Sequence, residues 1–228
     1  SDIAMLEADL LPAVKAASGR AKGAAAAGDW LKYNNTGRRN DPLSDDLVNA
    51  MSFLDGTGIT MEVTSGGQES REELTAEGKK MGLSGDALEA FIKKHRTGSV
   101  RHDHGNAADV VFYQDGRKLS WSDPNDQPVI QGIVARATMA GLTGFGAGID
   151  YMGPDTIHLG FGVQSVWGAG GDSNKAPEWL KEAFANPEKY AGNVSGGPTG
   201  LDALLEIEDP MERDAALGEY NLRMSVEE

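Results

Sequence analysis

Between Ser99 and Tyr113 the chain reads SVRHDHGNAADVVFY, and the residue types there could hold a metal ion. His102 and His104 sit in a polar, glycine-containing segment, and Asp109 follows just as the composition turns into the strand-like run Val110, Val111, Phe112, Tyr113. Imidazole nitrogen and carboxylate oxygen together suit zinc, which in catalytic sites usually takes three protein ligands and leaves a fourth position to water. A third ligand must come from elsewhere, and the remaining histidines are His95 and His158. His158 lies in PDTIHLGFG, a second strand-like segment with a carboxylate, Asp155, three residues earlier. The two segments read as halves of one site. His95, in KKHR at the end of a helical stretch, suits a capping or dipole role instead.

The elements that must position these side chains follow from periodicity and punctuation. Ser44, Asp45 and Asp46 can cap a helix over 45–54 with Leu47, Ala50, Met51 and Leu54 on one side. Alternation over 59–63 predicts a half-buried strand, and 64–67 a turn beside the metal-bearing loop. The segment 68–96 favours helix, with breaks around Gly78, Gly82 and Gly85 and a second helix capped by Ser84. Asp115-Gly116 predicts a tight hairpin turn after the strand at Val110. A helix over 129–140 has Ile130, Ile133, Val134 and Ala137 on its buried side. The glycine-dense run 141–148 lacks the Lys-Ser/Thr of a phosphate loop and suits a strand passing close to other backbone. Trp167, among glycines, fits core filling or a groove wall, and 176–184 predicts a further helix.

His102, Gly105, Ala107 and Asp109 reproduce the H-x-x-G-x-A-x-D signature of the zinc peptidases that cut peptidoglycan stem peptides, and the chain resembles that family from about Leu43 to Phe184. The family includes D-Ala-D-Ala carboxypeptidases and dipeptidases and L-Ala-D-Glu endopeptidases, and shares its fold with the hedgehog signalling domain. The resemblance implies an α+β fold, a small antiparallel sheet with flanking helices. It implies His102, Asp109 and His158 as zinc ligands and Asp155, from the later acid-x-x-His element, as the general base. The glycine spacing of the signature favours His102 over His104, which leaves His104 to line the substrate groove or support a ligand. Val63-Thr64-Ser65-Gly66-Gly67 is similar to the family's strand and Ser-Gly turn, so Gln68 falls at the place of its substrate-binding arginine.

Three departures accompany the match. The base position carries Asp155 where Glu is usual, Gln68 has no charge, and Leu159-Gly160 follow His158 where many relatives have a second polar residue or a tryptophan. The resemblance implies a zinc metallopeptidase acting on the bacterial wall, as a phage lysin or a peptidase carried in a virion. The alternative is a non-catalytic peptidoglycan-binding or virion structural module that keeps the peptidase fold.

Composition narrows the classes further. With no cysteine, a disulfide framework, a thiolate metal site and a cysteine nucleophile are all excluded. The 35 acidic residues outnumber the 21 Lys plus Arg, giving a formal charge of -14, and the basic groups are short, so nucleic acid is not an expected partner. No run of eighteen apolar residues predicts a membrane span, and the start of the chain lacks the pattern of a secretory signal. The expected organisation is an N-terminal accessory arm over 1–42, a zinc peptidase-like domain over 43–185, and a linker with an acidic helical tail over 186–228. The terminal arms are candidates for virion or homo-oligomer contacts.

Overall fold

The computed structural model describes residues 28–194. They form a mixed α/β unit around one seven-stranded sheet. Its strands are β1 (Leu31–Tyr33), β2 (Ile59–Ser65), β3 (Ala107–Gln114), β4 (Arg117–Lys118), β5 (Gly144–Gly148), β6 (Gly153–Gly160) and β7 (Ser165–Trp167). The order is β1-β2-β3-β6-β5-β7, with β4 paired to β3. The central pairs are antiparallel, but β1 runs parallel to β2 and β7 parallel to β5. The sheet is therefore larger than expected and mixed rather than antiparallel, because three-residue strands too short to show a period are added at both edges.

The helices are α1 (Asp45–Met51), α2 (Arg71–Lys80), α3 (Gly85–His95), α4 (Gln127–Met139), α5 (Ile149–Met152), α6 (Glu178–Ala185) and α7 (Pro187–Tyr190). Local chemistry accounts for their starts. The Ser44 side chain accepts from Leu47 N at the head of α1, and Ser70 with Glu73 forms a reciprocal capping box at the head of α2. Gly78 does not break its helix. It lies inside α2, where a Cβ would run into Leu88 Cδ1 of α3, so the glycine sets how closely the two helices pack. Leu74, Phe91 and Ile92 bury one another in that hairpin as a small core of their own.

The main core lies where α1, α4 and α6 meet the sheet: Leu47, Met51, Ile130, Ile133 and Leu180 pack with Met61, Val63, Val110, Phe112, Phe145 and Ile157. Alternation on β2 sends Ile59, Met61 and Val63 inward. The turn after β3 has Asp115 at φ 52° and Gly116 at φ 79°, the left-handed pair that a two-residue hairpin needs. Trp30 and Leu31 at one end, and Val194 at the other, belong to the same core, and Arg136 Nη1 donates to Val194 O at 3.2 Å. The folded unit thus extends beyond 43–185 on both sides. Residues 1–27 of the expected N-terminal arm and 195–228 of the expected linker and acidic helical tail lie outside the described residues. Among the described residues no helix is long and apolar enough to cross a membrane.

Candidate metal centre

One row across the sheet carries most of the site. Register pairs Ser65 of β2 with Asp109 of β3, Asp109 with His158 of β6, His158 with Gly146 of β5, and Gly146 with Trp167 of β7. Paired residues point to the same face, so Asp109 and His158 project side by side. His158 Nδ1 lies 2.9 Å from Asp109 Oδ1.

His102 comes from a loop instead of a strand, and the loop is fixed by glycines and by Gln68. The His102 Nδ1–H donates to Gly66 O at 2.8 Å. A carbonyl can only accept, so this bond places a proton on Nδ1 and turns Nε2 toward Asp109 Oδ1, 3.6 Å away. A Cβ on Gly105, which has φ 74°, would overlap Pro42 O and lie 2.6 Å from Ser44 N. A Cβ on Gly67 would lie 2.7 Å from Pro42 O and 2.9 Å from Gly105 Cα. The glycines of the H-x-x-G and Ser-Gly elements therefore let two turns and the 41–44 strap pass in contact, which brings His102 to the sheet.

His102, Asp109 and His158 each offer a ligand atom, all within 4.8 Å of one another. Both imidazoles are buried, and their rings meet edge to face with centroids 4.9 Å apart. Burial disfavours the charge on His158 more than Asp109 favours it, and the charges of His102 and Arg101 add to that, so its pKa lies below the ordinary histidine value. For Asp109, burial alone would raise the pKa, but hydrogen bonds and charge from His102 and His158 outweigh it and hold the carboxyl well below the usual range. The low pKa of Asp109 supplies an ionised carboxylate and the low pKa of His158 a neutral imidazole, the forms in which these two groups bind a divalent ion. The Nε2 of His158 is buried with no hydrogen-bond partner, so the site is under-satisfied by protein groups alone. These donors fit a borderline ion such as zinc, and they do not provide the all-oxygen shell of calcium or magnesium.

The three side chains open onto a cleft of about 330 Å³. Its walls include Arg39, Ser99, Arg101, Tyr151, Ser165 and Trp167. Arg39 Nη1 stands 3.5 Å from Asp109 Oδ2, the carboxylate oxygen away from the histidines. The guanidinium of Arg101 stacks on Trp167 with Cζ 4.5 Å from the ring centroid, and donates to Val163 O at 3.1 Å. Trp167 is only 6% exposed yet faces the cleft, so it both fills space and walls the groove.

The other expected site residues lie elsewhere. Gln68 is buried, and its side chain is occupied: Nε2 donates to Ser99 O at 3.2 Å and Asp103 Oδ1 at 2.8 Å, and Oε1 accepts from Thr97 N at 3.1 Å. It ties down the His102 loop and has no donor left for a substrate. His104, at φ 61°, is exposed with Nδ1 3.5 Å from Glu73 Oε2, and it does not line the cleft. Asp155 does not line the cleft either. Residues Thr156 to Gly160 pair with β3 one for one, so alternation gives the cleft face to Thr156, His158 and Gly160 and assigns Asp155 to the side of Ile157. Gly160 cannot substitute, because a Cβ there would lie 2.5 Å from Asn106 O and 2.6 Å from Ala107 Cα. Arg39, Arg101 and Tyr151 were not marked by the sequence: Arg39 sits in a turn-rich segment, Arg101 beside a more conspicuous histidine, and Tyr151 in a helix of four residues.

Comparison of the chain with protein-family models, curated proteins and solved structures finds no match in any of the three.

Proposed function

We propose that the chain is a zinc-dependent hydrolase of amide bonds in peptidoglycan stem peptides or cross-links, with a fold similar to that of the hedgehog-like zinc peptidases. The observation that carries the proposal is the convergence of His102, Asp109 and His158, from a loop and two strands, to within 4.8 Å at the floor of an open cleft. The H-x-x-G-x-A-x-D spacing supports it from the sequence side, since Gly105 and Asp109 each have a physical reason to stand where they do. A bound zinc ion would supply Lewis acidity toward water and toward a carbonyl oxygen.

The chain's own residues would do the rest. The Gly66 carbonyl fixes the His102 ring, and Arg39 holds the outer oxygen of Asp109, which favours one-oxygen ligation through Oδ1. Arg39 and Arg101 give the cleft positive charge within a chain of net charge -14, which suits a peptide bearing carboxylates, as stem peptides do. The setting that fits is the bacterial wall, reached by a phage enzyme during lysis or infection.

A second reading is a non-catalytic wall-binding or virion module retaining the metal. It is favoured by the position of Asp155 outside the cleft and by the closed position at Gly160. Mass spectrometry of muropeptides released from purified sacculi, with zinc and then with a chelator, separates the two. Chelator-sensitive release of new peptide ends supports hydrolysis; zinc bound by the protein with no release supports the binding module.

A further inference from the structure

Trp167 and Tyr151 form a pair that metal binding does not explain. Gly146 lies opposite Trp167 in the β5–β7 register, and a Cβ there would strike the indole nitrogen and lie 2.7 Å from Cε2. The absent side chain lets the indole lie across β5, where its ring centroid stands 5.1 Å from that of His158. An indole N–H can only donate, and its acceptor is the Tyr151 phenol oxygen at 3.4 Å. The phenol thus accepts from Trp167, and its own O–H proton has no acceptor among the described residues. Tyr151 is 41% exposed and lines the cleft, on the short helix α5 that joins the two strands bearing Gly146 and His158. Apart from Asp109, no carboxylate lines that cleft.

Resting on the amide-hydrolase reading, we infer that the Tyr151 hydroxyl is a catalytic hydrogen-bond donor, aimed by Trp167 at the substrate oxygen on which negative charge develops. As water adds to the scissile carbonyl, a C–O bond forms and the π pair moves onto the carbonyl oxygen, where the Tyr151 O–H meets it. The proton the water loses passes to solvent in the open cleft, and when the C–N bond breaks the carbonyl re-forms, the bonding pair goes to nitrogen, and nitrogen takes up a proton from the same solvent. Tyr151 keeps its own proton throughout, so its role is charge stabilisation.

The test uses the zinc-loaded full chain, Tyr151→Phe and Trp167→Phe. Three quantities are measured: muropeptide release from sacculi, zinc affinity, and calorimetric binding of acetohydroxamate, a small metal-chelating probe whose oxygen can accept the phenol proton. For Tyr151→Phe we expect release to fall about 100-fold, acetohydroxamate to bind about tenfold more weakly, and zinc affinity to stay unchanged. Trp167→Phe should move release and probe binding in the same direction by less. Unchanged release and probe binding in Tyr151→Phe overturns the donor role while the hydrolase reading stands. Weaker probe binding in Tyr151→Phe, with no release even by the unaltered chain, overturns the hydrolase reading and keeps the donor. Loss of zinc affinity in Tyr151→Phe overturns the assignment in favour of a structural role.

Discussion

His158 and Asp109 are partners across a strand pair, with Nδ1 of one 2.9 Å from Oδ1 of the other, and His102 Nε2 approaches the same oxygen to 3.6 Å. Two imidazoles gathered on one carboxylate oxygen resemble a metal shell drawn together around the place of its ion. Zinc binding should therefore stabilise the fold. At a free zinc concentration of 100 times Kd the gain is about 2.7 kcal/mol, which for a domain of this size raises Tm by roughly 5–10 °C. Thermal melts with zinc and with chelator would check this. Asp109→Ala should abolish the difference, and an equal zinc shift in that variant would remove Asp109 from the shell.

The pH dependence of the metal-free chain follows from the same pair. His158 has a folded pKa below its ordinary value of 6.5, so below about that pH the unfolded chain binds the extra proton and the folded chain resists it. Its contribution is complete above that value and is lost as pH falls toward the folded pKa. Asp109, also depressed, contributes above its ordinary 3.8 and is lost only in stronger acid. Urea denaturation of chelator-treated protein should give a lower midpoint at pH 5.5 than at pH 7.5, with His158→Gln flattening the difference. A midpoint that rises on acidification would contradict the neutral state assigned to His158.

Gly105 and Gly82 separate strain from collision. Both have positive φ, 74° and 80°, but a Cβ on Gly82 meets nothing within 4 Å, whereas one on Gly105 meets the 42–44 backbone. Gly82→Ala should cost about 1 kcal/mol. Gly105→Ala adds overpacking and should cost roughly 3–5 kcal/mol, with weaker zinc binding because the His102 loop must move. Chemical denaturation and zinc titration of the two variants read both effects; equal costs would refute the close-packing account of the signature glycine.

The assignment of Gln68 as a tie instead of a substrate contact is also testable. Its side chain makes three hydrogen bonds inside the loop that carries His102, and Asp103, one of its partners, is held by Arg96 at 2.9 Å through both oxygens. Gln68→Ala should lower stability by about 2–3 kcal/mol and weaken zinc binding, with KM for peptide unchanged. A raised KM at intact stability would return Gln68 to the substrate groove.

Much of the candidate site was legible because its signals are local. His102, Gly105 and Asp109 fall within eight residues, and their spacing reflects a turn closed by Gly105 N donating to His102 O at 3.1 Å and the start of β3. His158 was legible as a polar residue among the buried neighbours of a strand. Which face a more distant acid takes was not: Asp155 depends on the register of β6, which pairs regularly with β3 but shifts against β5 between Gly146 and Gly148. Arg39 was out of reach for another reason. Its loop arrives beside Asp109 because β1 adds to β2 in parallel, and Leu31–Tyr33 is too short to show a period. The role of Gln68 was hidden because residue type does not reveal whether an amide is occupied by neighbouring backbone.

Arg39 yields the sharpest prediction about substrate. Its Nη1 faces Asp109 Oδ2 at 3.5 Å, its Nη2 donates to Thr97 O at 3.2 Å, and its Nε is buried without a partner at the cleft wall. A guanidinium so placed can touch an incoming carboxylate while still holding Asp109. Arg39→Lys keeps one charge but loses the planar fork, and Arg39→Gln loses the charge. For peptides with a carboxylate near the scissile bond, KM should rise about tenfold in Arg39→Lys and about 100-fold in Arg39→Gln. For the same peptides with that carboxylate amidated, both variants should match the unaltered chain within about threefold. Steady-state kinetics on the paired peptides decides the matter. Equal losses on both peptides would mean that Arg39 acts through Asp109 and the metal alone, and charge recognition would then rest with Arg101.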